Sequence, residues 1–445
     1  MPGKRIRQGT VLVLVLALAL SLTGCWDRAE VEELGYVLAI GIDSAPKGDA
    51  YFTFWLAVPR RMASRGGGGG GGGGGESVHV ATVEAASLGA ATTLMNTYVA
   101  RRVTLEHAKA FIVSEELARR DVLKFLAAAT RFREFRQSIV VMVTRGTARD
   151  YLDKNRPSLE ENPARWMEMM LAHQVLSAVT VRSTVQQFLA EEVSGASLPV
   201  AVLTGLSQSE QQSPPGAGQG GAQSETMPLF TDSAYLPGEV PRFGLNPAEV
   251  IGAAVFRGAE MVAELNGDET RLLTMLRGDL RRTHLAQPDP KYPGYYVGLD
   301  VRQSRNPAVR VSFDGDRPVI DVKLNLEGDI TAVQSFWDWT DPASVPILEQ
   351  AVQTELKKRA QALVDRAQRE FRGDPFGFGD RARGHFWTWK DWMDYRWNSR
   401  FPDARINVDV KFHVRRVGLQ LSPPAPPADA PQPGGKGQEQ GAGQL

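Results

Sequence analysis

The chain contains a single cysteine, Cys25, which directly follows an apolar run. One cysteine cannot form an internal disulfide, so all 445 residues must be held in their fold by apolar cores and hydrogen bonds. This length is sufficient for two or three domains, each with its own core. The fold therefore has to be specified by patterns of apolar and turn residues.

The segment before Cys25 has the parts of an export signal. Basic residues at positions 4–7 precede an uninterrupted apolar run from Val11 to Leu20. That run is shorter than the roughly 20 apolar residues that a membrane-spanning helix needs. The tetrapeptide Leu-Thr-Gly-Cys at 22–25 resembles the lipobox of bacterial lipoproteins. We therefore predict that residues 1–24 are a cleaved lipoprotein signal peptide and that the Cys25 thiol carries a diacylglycerol.

Lipid on Cys25 would anchor the chain to a membrane. Burial of acyl chains contributes about 0.8 kcal/mol per CH₂, so two or three chains hold firmly where one does not. The alternative interpretation of Cys25 is an incidental thiol beside an ordinary cleavage site.

The chain without its signal peptide is nearly neutral. When the three basic residues of the signal are left out, 48 basic and 51 acidic residues remain, which is a net charge of −3. This balance argues against a nucleic-acid-binding protein, and the tether rather than charge is expected to place the chain on a membrane.

We predict that residues 25–180 form an N-terminal domain in which strands alternate with helices. The runs GYVLAIGID, YFTFWLAV, ESVHVATV, HAKAFIVS and QSIVVMVTRG are strand-like, whereas VEAASLGAATTLMNTYVA, EELARRDVLKFLAAATRF and TARDYLDK are helix-like. This alternation favours a mixed sheet covered by helices. Residues 66–75 are ten consecutive glycines without the lysine of a phosphate loop, so a flexible loop is predicted there.

Residues 181–290 are predicted to form a small middle domain. The composition of LPVAVLT predicts a strand, and VIGAAVFRGAEMVAEL is typical of two strands around a turn at Arg257-Gly258. The run DETRLLTMLRG favours a helix that ends at Gly278. Residues 206–247 are mostly Gln, Ser, Gly and Pro and are predicted to be a disordered loop.

Residues 291–421 are predicted to form a C-terminal domain of an antiparallel sheet and one long helix, followed by a disordered tail at 422–445. Alternating strands are expected in YYVGLDVRQS, AVRVSFDGDRPVIDVKLNLEG and RINVDVKFHVRRV. The helix is expected from about Val345 to Phe371, and its apolar stripe is interpreted as core packing rather than a partner interface. The stripe consists of Leu348, Val352, Leu356, Ala360, Leu363, Ala367 and Phe371. The predicted fold class is α+β, with three domains of mixed or antiparallel sheets packed with helices after the signal peptide.

The sequence shows no constellation that supports catalysis or metal binding. Its six histidines are widely separated and form no H-x-x-x-H pair; they are His79, His107, His173, His284, His385 and His413. The run FDGDRP lacks the remaining ligands of a calcium loop and is interpreted as a hairpin turn. Paired carboxylates suited to sugar cleavage stay an open alternative, since acidic residues are plentiful and their spacing in space is not visible in the sequence. We expect no catalytic, metal-binding or cofactor-binding residues.

An aromatic-rich segment, Gly373–Asp403, is the most distinctive part of the chain. Its aromatic side chains could form a surface for a membrane interface, a sugar or a protein, or they could seal one end of a core. We interpret Trp397 and Phe401 as core residues. For Trp387 and Trp389 the sequence does not decide between a binding surface and the core, because positions i and i+2 point to different faces of a helix.

Four stretches, in order along the chain, carry a resemblance to one protein family. They are GCWDRAEVEELGYVLAIGID, LEHAKAFIVSEELAR, GAAVFRGAEMVAELNGDETRLLTMLRG, and DPFGFGD with FPDARINVDVKFHVRRVGL. Together they resemble the Ger(x)C family, the lipoprotein C subunit of the nutrient germination receptors of endospore-forming bacteria. The resemblance spans Cys25 to Leu419, and the departures are the glycine run, the 206–247 segment and the Pro-rich tail.

The resemblance implies a non-enzymatic protein of three α+β domains, anchored to the outer face of the spore's inner membrane. It implies a complex with the integral-membrane A and B subunits of the receptor, of which the permease-like one recognises the nutrient. Cys25 is the one functional residue that the resemblance transfers, as the site of lipidation. No cofactor is implied apart from the acyl lipid on that residue. Two other classes of protein would share such an anchor, a solute-capture lipoprotein of a transporter and a tethered cell-wall hydrolase.

Overall fold

Within the residues that the computed structural model describes, the strands belong to two sheets, one of nine strands and one of four. The structure describes residues 30, 33–46, 49–57, 78–157, 160, 163–207, 233–242 and 244–418. The predicted signal peptide with Cys25, the glycine run and the Pro-rich tail lie outside these residues. No helix within the described part of the chain is long and apolar enough to cross a membrane.

The nine-stranded sheet has the order β3-β2-β1-β5-β6-β7-β8-β9, and the short β4 also pairs with β1. Its strands are β1 Leu34–Ser44, β2 Ala50–Ala57, β3 Val78–Ala85, β4 Arg102–Thr104, β5 Ala110–Ser114, β6 Val140–Thr144, β7 Val200–Leu206, β8 Ala248–Arg257 and β9 Glu260–Leu265. The central strands β1, β5, β6 and β7 run parallel, and antiparallel hairpins flank them on both sides. The sheet is therefore mixed, as predicted.

The sheet continues across residue 180, the predicted end of the first domain. Strands β6 and β7 lie on either side of that position and are neighbours, with Met142 opposite Val202. The two predicted units therefore share one sheet, because β7 completes the hydrogen bonds that β6 would otherwise leave open at an edge.

The four-stranded sheet has the order β10-β11-β12-β13, with β10 Thr283–Pro288, β11 Tyr296–Asp314, β12 Arg317–Val333 and β13 Arg405–Arg416. Three of these strands form antiparallel pairs, but β13 runs parallel to β12, with Val322 opposite Val408. The prediction of an antiparallel C-terminal sheet is wrong at this strand. Parallel neighbours need a long crossover, which the long helix supplies, and apolar alternation along a strand does not reveal its direction.

Eleven α-helices are described. They are α1 Leu88–Met95, α2 Glu115–Ala118, α3 Leu123–Ala129, α4 Ala148–Lys154, α5 Pro163–Ser177, α6 Val185–Ser194, α7 Gly267–Arg277, α8 Val345–Arg366, α9 Gly379–Ala382, α10 Trp389–Tyr395 and α11 Trp397–Arg400. A π-helical turn, Ala367–Phe371, continues α8. The helix predicted over 83–100 is shorter than expected, because β3 extends to Ala85 and the Ser87 hydroxyl caps α1.

Two further helix predictions have different outcomes. The single helix expected after β5 is divided into α2 and α3, and Val122 at the division donates its N–H to the carbonyl of Ala259. Helix α7 ends as predicted, with Gly278 at a φ of 84°. Its start is fixed by a capping box in which Asn266 and Glu269 satisfy each other's backbone N–H groups.

The long helix α8 packs its apolar stripe into the core. All seven stripe residues are buried, so the core interpretation is confirmed. The two faces of the large sheet bury separate apolar clusters: Ile40 belongs to one, whereas Ala39 belongs to the other. The Ala39 cluster continues through Leu198 into the side chains of the small sheet and α8. One continuous core therefore connects the two sheets.

We expect Leu356→Ala in α8 to lower the free energy of unfolding by about 2–5 kcal/mol, because it removes a buried side chain and leaves a cavity in that continuous core. Lys358→Ala on the exposed face of the same helix is the matched control and should change stability by less than about 0.5 kcal/mol. Urea unfolding followed by circular dichroism measures both. Equal stabilities for the two variants would contradict the packing of this helix.

Candidate functional site

Asp374 is a buried carboxylate around which the segment Gly373–Asp380 folds. Its side chain has no exposed surface. Oδ1 accepts hydrogen bonds from the backbone N–H groups of Phe376 and Gly377, at 2.8 and 3.1 Å. Oδ2 accepts from the backbone N–H of Gly379 at 2.8 Å and from Nε1 of Trp397 at 3.0 Å. Both oxygens are therefore used to hold the loop and the tryptophan together.

The backbone of Asp374 joins this loop to the large sheet. Its carbonyl accepts a 2.6 Å hydrogen bond from the N–H of Leu198, two residues before β7 begins. Its N–H donates to Oδ1 of Asn398, and Nδ2 of Asn398 donates to the carbonyl of Gly195. The C-terminal segment is thus fixed to the linker that connects α6 to β7.

Gly379 marks the closest approach at this junction. A Cβ atom at position 379 would lie 2.1 Å from the carbonyl oxygen of Ala196 and 2.7 Å from Nε1 of Trp397. Both distances are shorter than non-bonded contacts allow, so a side chain at this position would push the two segments apart. Glycine is required here for lack of space.

Arg277, the last residue of α7, ties a third element to the junction. Its Nε donates to the carbonyl of Pro375 at 2.7 Å, and its Nη2 donates to the carbonyl of Leu198 at 3.3 Å. Its Nη1 forms an ion pair with Glu191 of α6 at 3.0 Å. One guanidinium group therefore connects the loop, the start of β7 and two helices.

Burial raises the pKa of Asp374 from its ordinary value of 3.8 to about 6, although the hydrogen bonds from Gly379, Trp397 and Phe376 and the nearby charge of Arg277 act in the opposite direction. Perturbed carboxyls often mark catalytic sites, but structural networks perturb them too. With four donors on its two oxygens, Asp374 has the arrangement of a structural group.

The aromatic segment divides into a buried and an exposed part. Trp397 and Phe401 are buried, which confirms their interpretation as core residues. Trp387 and Trp389, which the sequence left open, are 98% and 52% exposed, and Met393 is 44% exposed. These three side chains form an exposed apolar surface beside the junction. Trp389 and Met393 stay out of the core because α10 turns Trp392 inward, and Trp387 lies just before this helix.

The motif Gly-Ile-Asp at the end of β1 also has a structural explanation. The carboxylate of Asp43 accepts hydrogen bonds from the N–H groups of Ala148 and Arg149 at 2.6 and 3.0 Å, at the start of α4. A Cβ at Gly41 would lie 3.0 Å from side-chain atoms of Ala148 and of Leu152. The motif therefore docks α4 onto the sheet.

The sequence offered several residues as possible metal ligands or as a lipidation site. The described residues include no group of three His, Cys, Asp or Glu side chains placed to hold a metal ion. The FDGDRP run forms the turn between β11 and β12, as predicted, with Gly315 at a φ of 59°. The Cys25 thiol lies outside the described residues, so its lipidation stays a prediction.

A cavity of about 360 Å³ lies between α5, β8 and the segment before β8. It is lined by Trp166, Met170, Val179, Val240, Arg242, Leu245, Asn246, Ala248, Glu249, Val250 and Ile251. Its charged groups neutralise each other, because Nε of Arg242 lies 2.7 Å from Oε1 of Glu249.

Residues 233–242 belong to the loop that was predicted to be disordered, but the structure describes them. They contribute to the wall of this cavity and also contact α7, where Ser233 accepts a hydrogen bond from Arg271.

Sequence reasoning singled out the aromatic side chains but missed Asp374, Arg277 and Leu198. The available signal was Asp374 itself, an acidic residue three positions before Gly377 and five before Gly379. A short carboxylate followed by glycines is typical of a loop that folds around the carboxylate. Its partner Leu198, which is 176 residues away, is not indicated by any local pattern.

Comparisons with known proteins match both halves of the chain. Residues 27–203 match the family model "Spore germination protein N-terminal domain", and residues 251–418 match "Spore germination B3/ GerAC like, C-terminal". Spore germination protein KC of Bacillus subtilis is 25% identical over 94% of this chain and 98% of its own length. Spore germination protein B3 of the same organism is 21% identical over 90% of this chain and 95% of its own. The crystal structure of the GerBC protein, at 16% identity, covers 84% of this chain and 96% of its own with a TM-score of 0.49.

We expect Asp374→Asn to destabilise the fold by about 2 kcal/mol or more at pH 7, because the new amide group would face the N–H donors of Gly379 or Trp397. The folded protein keeps a proton on Asp374 up to a pH of about 6, whereas the unfolded chain loses it near 3.8. The contribution of Asp374 to stability therefore falls as the pH rises from about 4 to about 6.

It follows that acidification from pH 7 to pH 4 should enlarge the stability difference between the native chain and Asp374→Asn, by about 2 kcal/mol at 1.36 kcal/mol per pKa unit. Urea unfolding at both pH values measures this difference. The control is Asp380→Asn, an exposed carboxylate six residues away, which should change stability little. A difference that shrinks on acidification would contradict the raised pKa of Asp374.

Proposed function

The chain belongs to the Ger(x)C family of spore germination proteins, and on that basis we propose that it is the lipid-anchored subunit of a nutrient germinant receptor, needed for receptor assembly and for nutrient-triggered germination. The observation that carries the proposal is the order of the two family matches. They follow each other along residues 27–203 and 251–418, directly after the predicted lipobox at 22–25. Relatives named for spore germination match 90% or more of the chain.

The proposed location is the outer face of the spore's inner membrane. Diacylglycerol and acyl groups on Cys25 would hold the folded part at the membrane surface. The lipobox-like tetrapeptide at 22–25 supports this arrangement, because it would place the acyl chains at the start of the mature protein.

The proposed partners are the integral-membrane A and B subunits of the receptor. A tether confines the folded part to a thin layer above the bilayer, so its effective concentration near membrane proteins is high. Contacts that would be too weak between freely diffusing proteins are then sufficient for assembly. The nutrient would be recognised by a membrane subunit, and the anchored subunit would stabilise the signalling-competent receptor.

We propose that this subunit acts by binding rather than by catalysis and carries no cofactor besides its acyl lipid. The most strongly perturbed carboxyl among the described residues, Asp374, supports this view, because four donors occupy its oxygens and two sheets meet around it. The rigid junction favours a scaffold that presents a surface in a fixed orientation.

We expect spores that lack this chain to release no dipicolinic acid in response to the nutrient that acts through this receptor, because the receptor would not assemble. Release after a non-nutrient trigger such as a cationic surfactant should be unchanged, which shows that the spores are otherwise competent. Dipicolinic acid release is measured by terbium fluorescence. Normal responses to every nutrient tried would contradict the proposal.

We expect Cys25→Ala to reduce nutrient-triggered release and to abolish incorporation of a labelled fatty acid into the protein, because the residue that receives the lipid is gone. Thr23→Ser, which keeps a small residue before Cys25, is the matched control and should be lipidated normally. Undiminished labelling of the Cys25→Ala chain would contradict lipidation at this residue.

A further inference from the structure

The exposed apolar side chains of the described residues are concentrated at one edge of the large sheet. We call this the amino edge, the edge at which the parallel strands β1, β5, β6 and β7 begin. Ten large apolar side chains are exposed among the described residues. Six of them lie at the amino edge: Leu94, Tyr98, Val193, Trp387, Trp389 and Met393.

Leu94 and Tyr98 are placed there by the connection into β4. Strand β4 begins at Arg102, which pairs in parallel with Leu34, the first residue of β1. Leu94 lies in the last turn of α1, and Tyr98 lies four residues before β4. Both therefore lie where the chain enters the sheet.

The other four side chains are placed there by the connection into β7. Val193 lies at the end of α6, immediately before the linker that leads into β7. Trp392 of α10 donates its Nε1–H to the carbonyl of Ser194 at 2.8 Å, which fixes α10 against this linker. Because Trp392 faces inward, Trp389 and Met393, one helical turn apart, face outward together with Trp387.

Two of the segments that lead into strands at this edge are basic, since residues 94–102 and 130–138 contain five Arg and one Glu. Residues 380–396 contain four Lys or Arg and three Asp, whereas residues 26–33, which lead into β1, contain one Arg and four Asp or Glu. The acidic residues Glu191 and Glu192 also lie close to the start of β7, and Glu191 is paired with Arg277. The guanidinium of Arg383 lies 6.0 Å from the ring centre of Trp389.

The predicted lipid anchor on Cys25 is connected to the folded part at the same edge, through the chain that leads into β1. Leu34 is nine residues after Cys25, so the intervening chain spans at most about 30 Å. Strand β7 is separated from β1 by β5 and β6, which places the two strands about 14 Å apart. A lipid on Cys25 would therefore hold the whole amino edge close to the bilayer.

We propose that the amino edge docks directly on the lipid bilayer, with Trp387 and Trp389 in the interfacial region and the basic segments against anionic headgroups. Tryptophan prefers this region because its ring is apolar and its N–H still finds hydrogen-bond acceptors. Basic side chains beside it add attraction to anionic lipid. The proposal extends the proposed function, since it assigns the surface that the anchored subunit turns towards the membrane.

Docking would fix the orientation of the protein above the membrane. An acyl anchor alone leaves the folded part free to rotate on its linker. A second contact, through side chains held by the Asp374 junction, removes that freedom. The start of α8 would then lie outside the contact, because the 22 residues of this helix place its start about 33 Å from the end that leads into the junction.

The test uses the full lipidated chain in vesicles of phosphatidylcholine with about 30% phosphatidylglycerol. Because the one native cysteine is the predicted lipidation site, Gly384→Cys introduces a single free thiol for an environment-sensitive fluorophore. This exposed position has open space for a side chain, and the substitution leaves Trp387 and Trp389 in place. We expect a blue shift and loss of about half the emission when a headgroup-level quencher is attached to the lipid. The matched control, Ile347→Cys at the start of α8, should show neither.

The outcomes separate this proposal from the proposed anchor. A chain that is lipidated but shows no quenching at position 384 overturns docking and leaves the anchor intact. Quenching at 384 in a chain whose mass shows no lipid on Cys25, and equally in its Cys25→Ala form, supports docking and contradicts the anchor. Shielding at 384 that appears only when the receptor's membrane proteins are added, without lipid quenching, overturns docking in favour of a protein contact.

Discussion

The buried carboxylate of Asp374 folds the loop through which the C-terminal part of the chain is attached to the large sheet. A charged group without water is stable only if its hydrogen bonds are satisfied, and here the loop that follows it and the indole of Trp397 supply four donors. The same residue receives the N–H of Leu198 on its carbonyl. Loop, tryptophan and large sheet are therefore fixed by one residue, and the surrounding elements take their positions from it.

The junction has consequences for the surface of the protein. Once Trp397 is held by Asp374 and Trp392 by the carbonyl of Ser194, helix α10 has a single orientation. That orientation leaves Trp387, Trp389 and Met393 exposed beside the start of β7. A buried polar network thus specifies which apolar side chains remain outside, and it does so without a disulfide in a chain with one cysteine.

The proposed function places this rigid body on a membrane. A lipidated chain that folds into one connected core presents its surfaces as a unit, so a contact at one edge constrains the orientation of all others. The parallel order of β1, β5, β6 and β7 brings the entry of the chain and the exposed tryptophans to the same edge. Attachment and orientation are in this way linked through the topology of the sheet.

The sequence by itself determined the local features of the protein. The turn at Arg257-Gly258, the end of α7 at Gly278 and the buried stripe of α8 were all predicted, because each depends on side chains within a few residues or one helical period. The family could also be inferred, since four ordered motifs carry it. The α+β class followed from the same local patterns.

Only the tertiary structure decided how these elements combine. The parallel direction of β13, the continuity of the large sheet across residue 180 and the exposure of Trp387 depend on partners far away in the chain. Apolar alternation is the same in parallel and antiparallel strands, and a tryptophan is equally apolar inside and outside a core. Which of these outcomes is realised depends on long-range contacts such as that of Asp374 with Leu198, which the local sequence does not contain.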